Sequence, residues 1–261
     1  MERRTDKRVC VVIPTYKSKL NRYERLSVDL IKEKLSCYDI YFIAYKELDM
    51  AGYRQDKEIK VMYFPKHFFK GGIAYSRLLL NKDFYKRFLD YEYMLIVQTD
   101  ALVLGDAKQL DLFIQQGYDY WGARWKKPVE IHSVEVKKDL PVRSALPDFL
   151  WKYILKHPQY CFVGNGGLSL RNIRKTIALL QEKRRYAAVW FDNEDKFYAY
   201  HGLKNHVNYR VAPKEMVDSF SLEDYIKQRL NEVQPFGVHA WRRWARLQTI
   251  RYLKEKGYLS K

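Results

Sequence analysis

The strongest constraint on the fold is a pair of short apolar runs that each stop at polar residues. Residues 9–13 (VCVVI) end at residues 14–16 (PTY), and residues 94–97 (MLIV) end at residues 98–100 (QTD). A continuous apolar run of this length is typical of a strand that is buried on both faces, as in a parallel sheet. Ligands of such sheets bind at the carboxyl ends of the strands, so we expect both polar triplets to face one crevice.

Strands and helices alternate through the first 104 residues. Further strands are predicted at residues 38–45 and 59–64, and helices at residues 23–30 and 77–89, where apolar residues recur at three- and four-residue spacing. This alternation predicts an α/β fold, with a mostly parallel sheet flanked by helices in a single domain.

The second half of the chain has a different character. Residues 118–125 are predicted as a strand, and residues 126–158, which contain four prolines, as a loop or lid. Residues 160–163 are predicted as a strand that leads through a glycine turn into a helix at residues 169–183.

The charge balance indicates an anionic partner. The chain has 48 Lys and Arg against 31 Asp and Glu, a net charge of +17, which attracts nucleic acids, anionic membranes and phosphorylated small molecules. Cys10, Cys37 and Cys161 are distant and odd in number, so neither a disulfide framework nor a zinc site is indicated, and Cys10 and Cys161 are expected in the core. The charged residues 1–8 do not resemble a signal peptide, and no run reaches the ~18 apolar residues of a membrane span, so the expected location is the cytoplasm.

Two stretches are candidates for ligand contacts, the first through a carboxylate and the second through backbone groups. Asp100 follows a buried strand, where it either caps the next turn or holds Mg²⁺ or Mn²⁺, which needs only one or two carboxylates when a diphosphate completes its shell. The sequence GNGG at residues 164–167 either makes a plain turn or allows backbone to approach a ligand closely. It lacks the spacing of a Walker loop or a dinucleotide fingerprint.

Two further stretches carry titratable groups. Asp192, Glu194 and Asp195 form an acidic cluster among aromatic residues, which either marks a helix N-terminus or raises a carboxylate pKa toward that of a general base. His239 lies between a Pro-Gly turn and a tryptophan, where it is either a packed core residue or a ligand for a divalent metal.

A glycine pair at residues 71–72 precedes a helix that bears Ser76 and Arg77. Backbone N–H groups and the guanidinium would suit a phosphate or a ribose. The alternative is an ordinary helix start with a solvated arginine.

Taken in order, these stretches resemble the nucleotide-sugar-dependent glycosyltransferases of the GT-A fold. More narrowly, they look like bacterial glycosyltransferase-like domains with a QTD strand end and an NGGxSLR loop, and the resemblance covers about residues 9–241. Residues 98–100 occupy the place of the Asp-x-Asp motif in that family. Gln98 replaces its first acid, which implies that metal binding is weak or dispensable, or is shared with His239.

The resemblance also implies a role for each matching residue. By the resemblance, donor binding falls to Pro14, Thr15, Tyr16, Gln98, Thr99 and Asp100, and the chemistry of a diphosphate adds Arg77. Asp100 and His239 are expected to bind a metal, Mn²⁺ or Mg²⁺. The loop that lines the sugar and acceptor site is expected to consist of Gly164, Asn165, Gly166 and Gly167. Asp195 is the implied base of an inverting transfer, and Glu194 is expected to bind acceptor hydroxyls. Such a transfer needs cations beneath the leaving diphosphate and a carboxylate that deprotonates the incoming hydroxyl.

The expected reaction is transfer of a sugar from a nucleoside-diphosphate sugar to a glycan or glycolipid acceptor. The basic surplus favours an anionic or lipid-embedded acceptor, of the lipopolysaccharide or capsule type. We expect a glycosyltransferase domain at residues 1–240 and a basic, aromatic helix or tail at residues 241–261. That tail has the composition of an anchor on the inner face of a membrane, and its alternative is a tail that packs on the core with a solvated basic face.

Two rival functions stay open. A nucleic-acid-binding module would use the arginines on phosphates and the tyrosines on bases, but the basic residues are dispersed and the acids at 192–195 repel phosphate. We therefore expect no nucleic-acid partner. The second rival is a catalytically inactive sugar-nucleotide-binding protein of the same fold.

Overall fold

Strands and helices alternate along the first part of the chain, as the sequence predicts. The computed structural model describes residues 6–53, 55–131, 159–190 and 192–259. The strands are β1 (Asp6–Pro14), β2 (Tyr38–Ala44), β3 (Lys60–Tyr63), β4 (Tyr93–Val97), β5 (Leu102–Val103), β6 (Tyr120–Trp121), β7 (Ala123–Ile131), β8 (Gln159–Gly164), β9 (Leu168–Asn172), β10 (Ser221–Leu222) and β11 (Gly237–Val238). The helices are α1 (Arg22–Lys34), α2 (Gly72–Leu79), α3 (Lys82–Lys86), α4 (Ala107–Gln115), α5 (Ile173–Glu182), α6 (Arg184–Val189), α7 (Glu194–Leu203), α8 (Ile226–Val233), α9 (Trp241–Trp244) and α10 (Arg246–Glu255).

A six-stranded sheet forms the centre of the molecule, in the order β3-β2-β1-β4-β9-β6. The first four strands are parallel, whereas β9 runs antiparallel to both of its neighbours. Residues 9–13 of β1 and all of β4 are buried, which explains their continuous apolar sequences. The predicted α/β fold, a mostly parallel sheet flanked by helices in one domain, is confirmed.

A second, three-stranded sheet has the order β10-β11-β5. In it β11 runs antiparallel to β5, with Val238 opposite Leu102 and Gly237 opposite Val103. This short pairing brings the residues after β11 next to the residues before β5, because the two strands run in opposite directions.

The prediction of one helix over residues 77–89 is wrong. The segment holds the end of α2 and the separate helix α3, and Asn81 between them caps α3 by accepting a hydrogen bond from the backbone N–H of Asp83. Asparagine favours this capping position and competes with a continuous helix.

The prediction of a helix over residues 169–183 is wrong in its first part. Residues up to Asn172 form β9, and the helix begins only at Ile173, with Asn172 as its N-cap. Because Leu168–Asn172 lies between two strands and is almost entirely buried, its apolar residues carry no clear alternation that would distinguish it from a helix.

The remaining predictions for the second half are met in part. The strand expected at residues 118–125 is divided into β6 and β7 at Gly122, where a Cβ atom would lie 1.7 Å from the carbonyl oxygen of Gly164. Residues 126–131, expected in a loop, continue β7, and the rest of the predicted lid lies outside the described residues. None of the three cysteines forms a disulfide within the described residues, and Cys10 and Cys161 are buried as predicted.

The C-terminal helices pack against the rest of the domain. Trp241 and Leu253 are buried in a cluster that includes Leu30 of α1 and Leu230 of α8. Among the helices that the structure describes, none has the length and apolar character required to cross a membrane.

Candidate active site

A cleft of about 500 Å³ opens at the carboxyl ends of β1 and β4. Its walls come from the residues that follow these two strands, from the start of α2 and from the C-terminal helices. The lining residues are Pro14, Tyr16, Lys17, Glu24, Phe69, Gly71, Gly72, Tyr75, Gln98, Thr99, Asp100 and Arg242. The polar ends of both strands therefore line one cavity.

The expected donor contacts of Thr15 and Arg77 need correction, since neither residue lines the cleft. The Thr15 side chain is buried, and its hydroxyl donates to the carbonyl oxygen of Ile13 at 3.2 Å. Arg77 lies two residues after Tyr75 on α2, about 200° around the helix, and therefore points away from the cleft. Its guanidinium donates to the carbonyl oxygen of Ala188 at 2.9 Å.

His239 is held between two carboxylates. Its Nε2 atom lies 3.3 Å from Oδ1 of Asp100, and its Nδ1 atom lies 3.4 Å from Oε1 of Glu223. The antiparallel pairing of β11 with β5 explains this approach, because it aligns residue 239 with the end of the loop that carries Asp100. Burial alone would lower the pKa of His239, but hydrogen bonding and charge from Asp100 and Glu223 prevail and raise that pKa to about 10.

Asp100 and a deprotonated His239 would fit two positions in the coordination shell of a divalent metal, and the metal would have to displace the proton that the raised pKa keeps on the imidazole. Ligands bonded to one metal at about 2.1 Å and at right angles lie about 3.0 Å apart, close to the 3.3 Å observed between Oδ1 and Nε2. Neither ring nitrogen of His239 makes a well-directed hydrogen bond within the described residues. In the same part of the chain no group of three or more His, Cys, Asp or Glu is placed to hold a metal, so other ligands would have to come from substrate and water.

The glycine loop at residues 164–167 is shaped around the side chains that pack against it. A Cβ atom at Gly167 would lie 2.0 Å from Nε2 of His239, and one at Gly166 would lie 2.0 Å from Oε1 of Glu194. Asn165 adopts a left-handed conformation with φ of 70°, and its Oδ1 accepts a hydrogen bond from the N–H of Gly167 at 3.0 Å. These close approaches explain why the segment needs glycine.

The same loop connects Asp100 and His239 to Asp195. Gly167 accepts a hydrogen bond from the backbone N–H of Gln98 at 2.8 Å, which ties the loop to the end of β4. Two residues earlier, the N–H of Asn165 donates to Oδ2 of Asp195 at 3.0 Å. The loop is thus bonded on one side to the cleft and on the other to the predicted base.

Asp195 is half-buried at the start of α7, outside the residues that line the cleft. Burial is the largest cause that raises its pKa, and the charge of Glu194 adds to it, so that the pKa is raised to about 7 despite two backbone hydrogen bonds. The charge of Glu223 also raises this pKa, so the carboxylate that pairs with His239 lies near Asp195 as well. A carboxylate with such a pKa suits general base catalysis near neutral pH.

The expectation that Glu194 binds acceptor hydroxyls needs correction. Its Oε1 accepts a hydrogen bond from Arg171 at 2.9 Å and its Oε2 accepts one from Ser76 at 2.8 Å. The side chains of Glu194 and Arg171 are 6% and 0% exposed, and Arg171 also donates to Tyr85 and Ser169. Both Glu194 oxygens are therefore occupied by the fold, and Ser76 is used for this network and not for a phosphate.

Several lining residues were missed by sequence reasoning. Lys17 pairs with Glu24, which itself completes the capping box of α1 with Asn21. The Asn-x-x-Glu spacing in the sequence could have revealed that box. Tyr75 presents a buried hydroxyl without a hydrogen-bond partner in the described structure, and Arg242 comes from a segment that sequence reasoning treated as a separate tail.

The fold is that of the GT-A glycosyltransferases. The galactosyltransferase LgtC, solved in complex with donor and acceptor sugar analogues, is similar with a TM-score of 0.51 and 14% identity, over 97% of this chain and 96% of that chain. The apo structure of the bifunctional glycosyltransferase WbbM gives a TM-score of 0.53 and 16% identity, over 90% of this chain and 46% of that one. This chain therefore spans less than half of WbbM.

The sequence matches one protein family over more than half of its length. Residues 58–239 match DUF5672, a family described as proteins of unknown function, and the chain belongs to that family. No curated protein matches the sequence.

Proposed function

We propose that this protein transfers a sugar from a nucleoside-diphosphate sugar to a hydroxyl of a glycan or glycolipid acceptor. The observation that supports this most is the set of contacts that joins Asp100, His239, the glycine loop and Asp195 around one edge of a GT-A sheet.

The diphosphate of the donor would occupy the cleft. Lys17 and Arg242 line it and supply positive charge, while the exposed ring of Tyr16 offers a stacking surface for the nucleoside. A divalent metal held by Asp100 and His239 would supply further positive charge to the leaving diphosphate.

Asp195 would act as the base of an inverting reaction. The acceptor oxygen forms its bond to the anomeric carbon as the bond from that carbon to the diphosphate breaks, and the hydroxyl proton passes to Asp195. Glu194 acts through position and charge, because it is held by Arg171 and Ser76 and raises the pKa of its neighbour.

The acceptor would be anionic or carried by a lipid, of the lipopolysaccharide or capsule type. The net charge of +17 supports this proposal, since it attracts an anionic acceptor.

A thermal-shift panel tests donor binding first. UDP, GDP, CMP and dTDP sugars are compared with and without Mn²⁺, because a ligand at about 100 times its Kd adds about 2.7 kcal/mol to the free energy of unfolding. We expect donors of one nucleotide class to raise Tm by several degrees. In the absence of acceptor, the protein should hydrolyse such a donor slowly and release its nucleotide. The absence of any shift across the panel would contradict the proposal.

A further inference from the structure

Six basic side chains on one face of the molecule form no ion pair among the residues that the structure describes. We call this the basic tail face, and it comprises Arg22, Lys227, Arg242, Arg243, Arg246 and Arg251. All six are exposed, and within the described residues none forms an ion pair with a carboxylate. Elsewhere on α1, by contrast, Arg25 and Lys32 both pair with Asp56.

Three of these cations crowd around one aromatic ring. The guanidinium carbons of Arg22, Arg242 and Arg246 lie 4.5, 5.1 and 5.9 Å from the centre of the Tyr23 ring. Like charges held this close repel one another, and an external anion would relieve that repulsion.

The basic tail face also exposes large apolar side chains. Trp244 is 39% exposed and Leu247 is 83% exposed, and both line a groove of about 660 Å³ beside Arg243, Arg246 and Arg251. The opposite side of the same helices is buried in the domain through Trp241, Tyr252 and Leu253. The helices are therefore fixed to the body while their outer side combines positive charge with apolar groups.

We propose that the basic tail face docks on an anionic lipid bilayer. Its arginines and lysine would meet lipid phosphates, while Trp244 and Leu247 enter the interfacial layer, where an indole and an aliphatic side chain are both favoured. An exposed leucine beside a tryptophan and several cations is typical of an interfacial surface, whereas proteins that bind single-stranded nucleic acid rely on aromatic stacking and a positively charged groove. The combination of Leu247 with unpaired cations thus favours a bilayer.

Arg242 connects this face to the cleft, because it lines both the groove and the candidate active site. Docking would therefore hold the mouth of the cleft close to the membrane surface. If the proposed transferase function holds, this position favours an acceptor whose glycan is attached to a membrane lipid.

Vesicle sedimentation with the full chain tests the docking directly. The protein is mixed with vesicles of phosphatidylcholine, alone or with about 30% phosphatidylglycerol, at about 0.15 M and about 0.5 M NaCl. We expect binding only to the anionic vesicles and a large loss at the higher salt. The triple variant Arg243→Ala, Arg246→Ala, Arg251→Ala should bind these vesicles about 100-fold more weakly, since each basic residue near a membrane surface contributes substantially.

A second triple variant controls for net charge. Lys46, Lys57 and Lys108 are exposed and lack ion pairs within the described structure, so their replacement by alanine removes the same charge from other surfaces. This variant should bind within about threefold of the wild type. The proposal would be overturned if the two triple variants lost affinity for anionic vesicles equally, or if the wild-type protein bound neutral vesicles.

An RNA duplex provides the competing outcome. Tighter binding to RNA than to anionic vesicles, lost in the tail-face variant, would assign this face to nucleic acid and overturn the proposal. Vesicle binding needs no donor sugar, so its failure would be distinct from failure of the proposed transferase activity.

Discussion

Asp100 and His239 show how one residue pair sets the chemistry of the cleft. Asp100 is the sole carboxylate in residues 98–100, where the chain reads Gln-Thr-Asp. Burial tends to raise its pKa, but the interaction with His239 prevails and the pKa lies below its usual value. The carboxylate is therefore ionised at neutral pH and pairs with the imidazolium of His239, whose proton a metal would have to displace in order to bind both side chains.

Asp100→Ala tests this assignment. We expect donor binding measured by calorimetry in Mn²⁺ to weaken about 10- to 100-fold, as when a metal site loses an important contact, and to change much less in EDTA. Asp90→Ala, at an exposed position outside the cleft, serves as the control. Equal losses of affinity in Mn²⁺ and in EDTA would count against Asp100 as a metal ligand.

At the scale of elements, a glycine loop positions Asp100, His239 and Asp195 through close contacts that only glycine permits. The loop at residues 164–167 follows β8, packs against His239 and Glu194, and leads into β9. Its bonds to Gln98 and Asp195 mean that a displacement of this loop would move Asp100, His239 and Asp195 together.

Gly167→Ala should therefore damage the site more than the fold. The added methyl would overlap His239, and such overpacking costs about 1–3 kcal/mol of folding stability while displacing the imidazole from Asp100. We expect Mn²⁺-dependent donor binding to fall at least about 10-fold. Gly202→Ala is a matched control, because its methyl would lie 2.4 Å from Val211 near the other end of α7. If both variants lose stability equally and both retain donor binding, the loop does not position His239.

The start of α7 sets the pH dependence of the proposed reaction. Asp195 must be deprotonated to act as a base, so kcat/KM should rise with pH through about 7, the value to which its pKa is raised. Glu194→Gln removes a charge that raises this pKa, so the acid limb should move to lower pH.

The same substitution leaves the buried Arg171 without its charge partner and should cost about 3–5 kcal/mol of stability. Ser76→Ala keeps the Glu194 charge and removes one hydrogen bond, at a cost of about 1 kcal/mol. The acid limb of the kcat/KM profile should therefore lie at the same pH in Ser76→Ala as in the wild type. A limb that does not move in Glu194→Gln would show that another group titrates in the profile.

Local sequence patterns predicted the elements that position the cleft but not all of its contacts. β1 and β4 were predictable because strands buried on both faces leave continuous apolar runs. β9 was not, because its burial removes the alternation that distinguishes a strand from a helix. The approach of His239 to Asp100 depends on a pairing of only two residues in each strand, which leaves no local signal.

At the scale of the whole molecule, fold and charge support the same function. The GT-A fold was predicted from the sequence, since it depends on elements spread over most of the chain. The position of Arg242 in the cleft was not, because it follows from the packing of the C-terminal helices on α1 and α8. Arg242 therefore joins the cleft to the basic groove on the outer surface, since it lines both.

The most direct test of the central claim compares nucleotide release and sugar transfer in the wild type and in Asp195→Asn, using the donor identified by thermal shift. We predict turnover in the wild type and a loss of at least about 100-fold in the variant, since a general base contributes about 10²–10⁴-fold. The variant should bind the donor within about threefold of the wild type, because Asp195 lies outside the lining of the cleft. Retained turnover in Asp195→Asn, with normal donor binding, would contradict the assignment of Asp195 as the base around which the site is arranged.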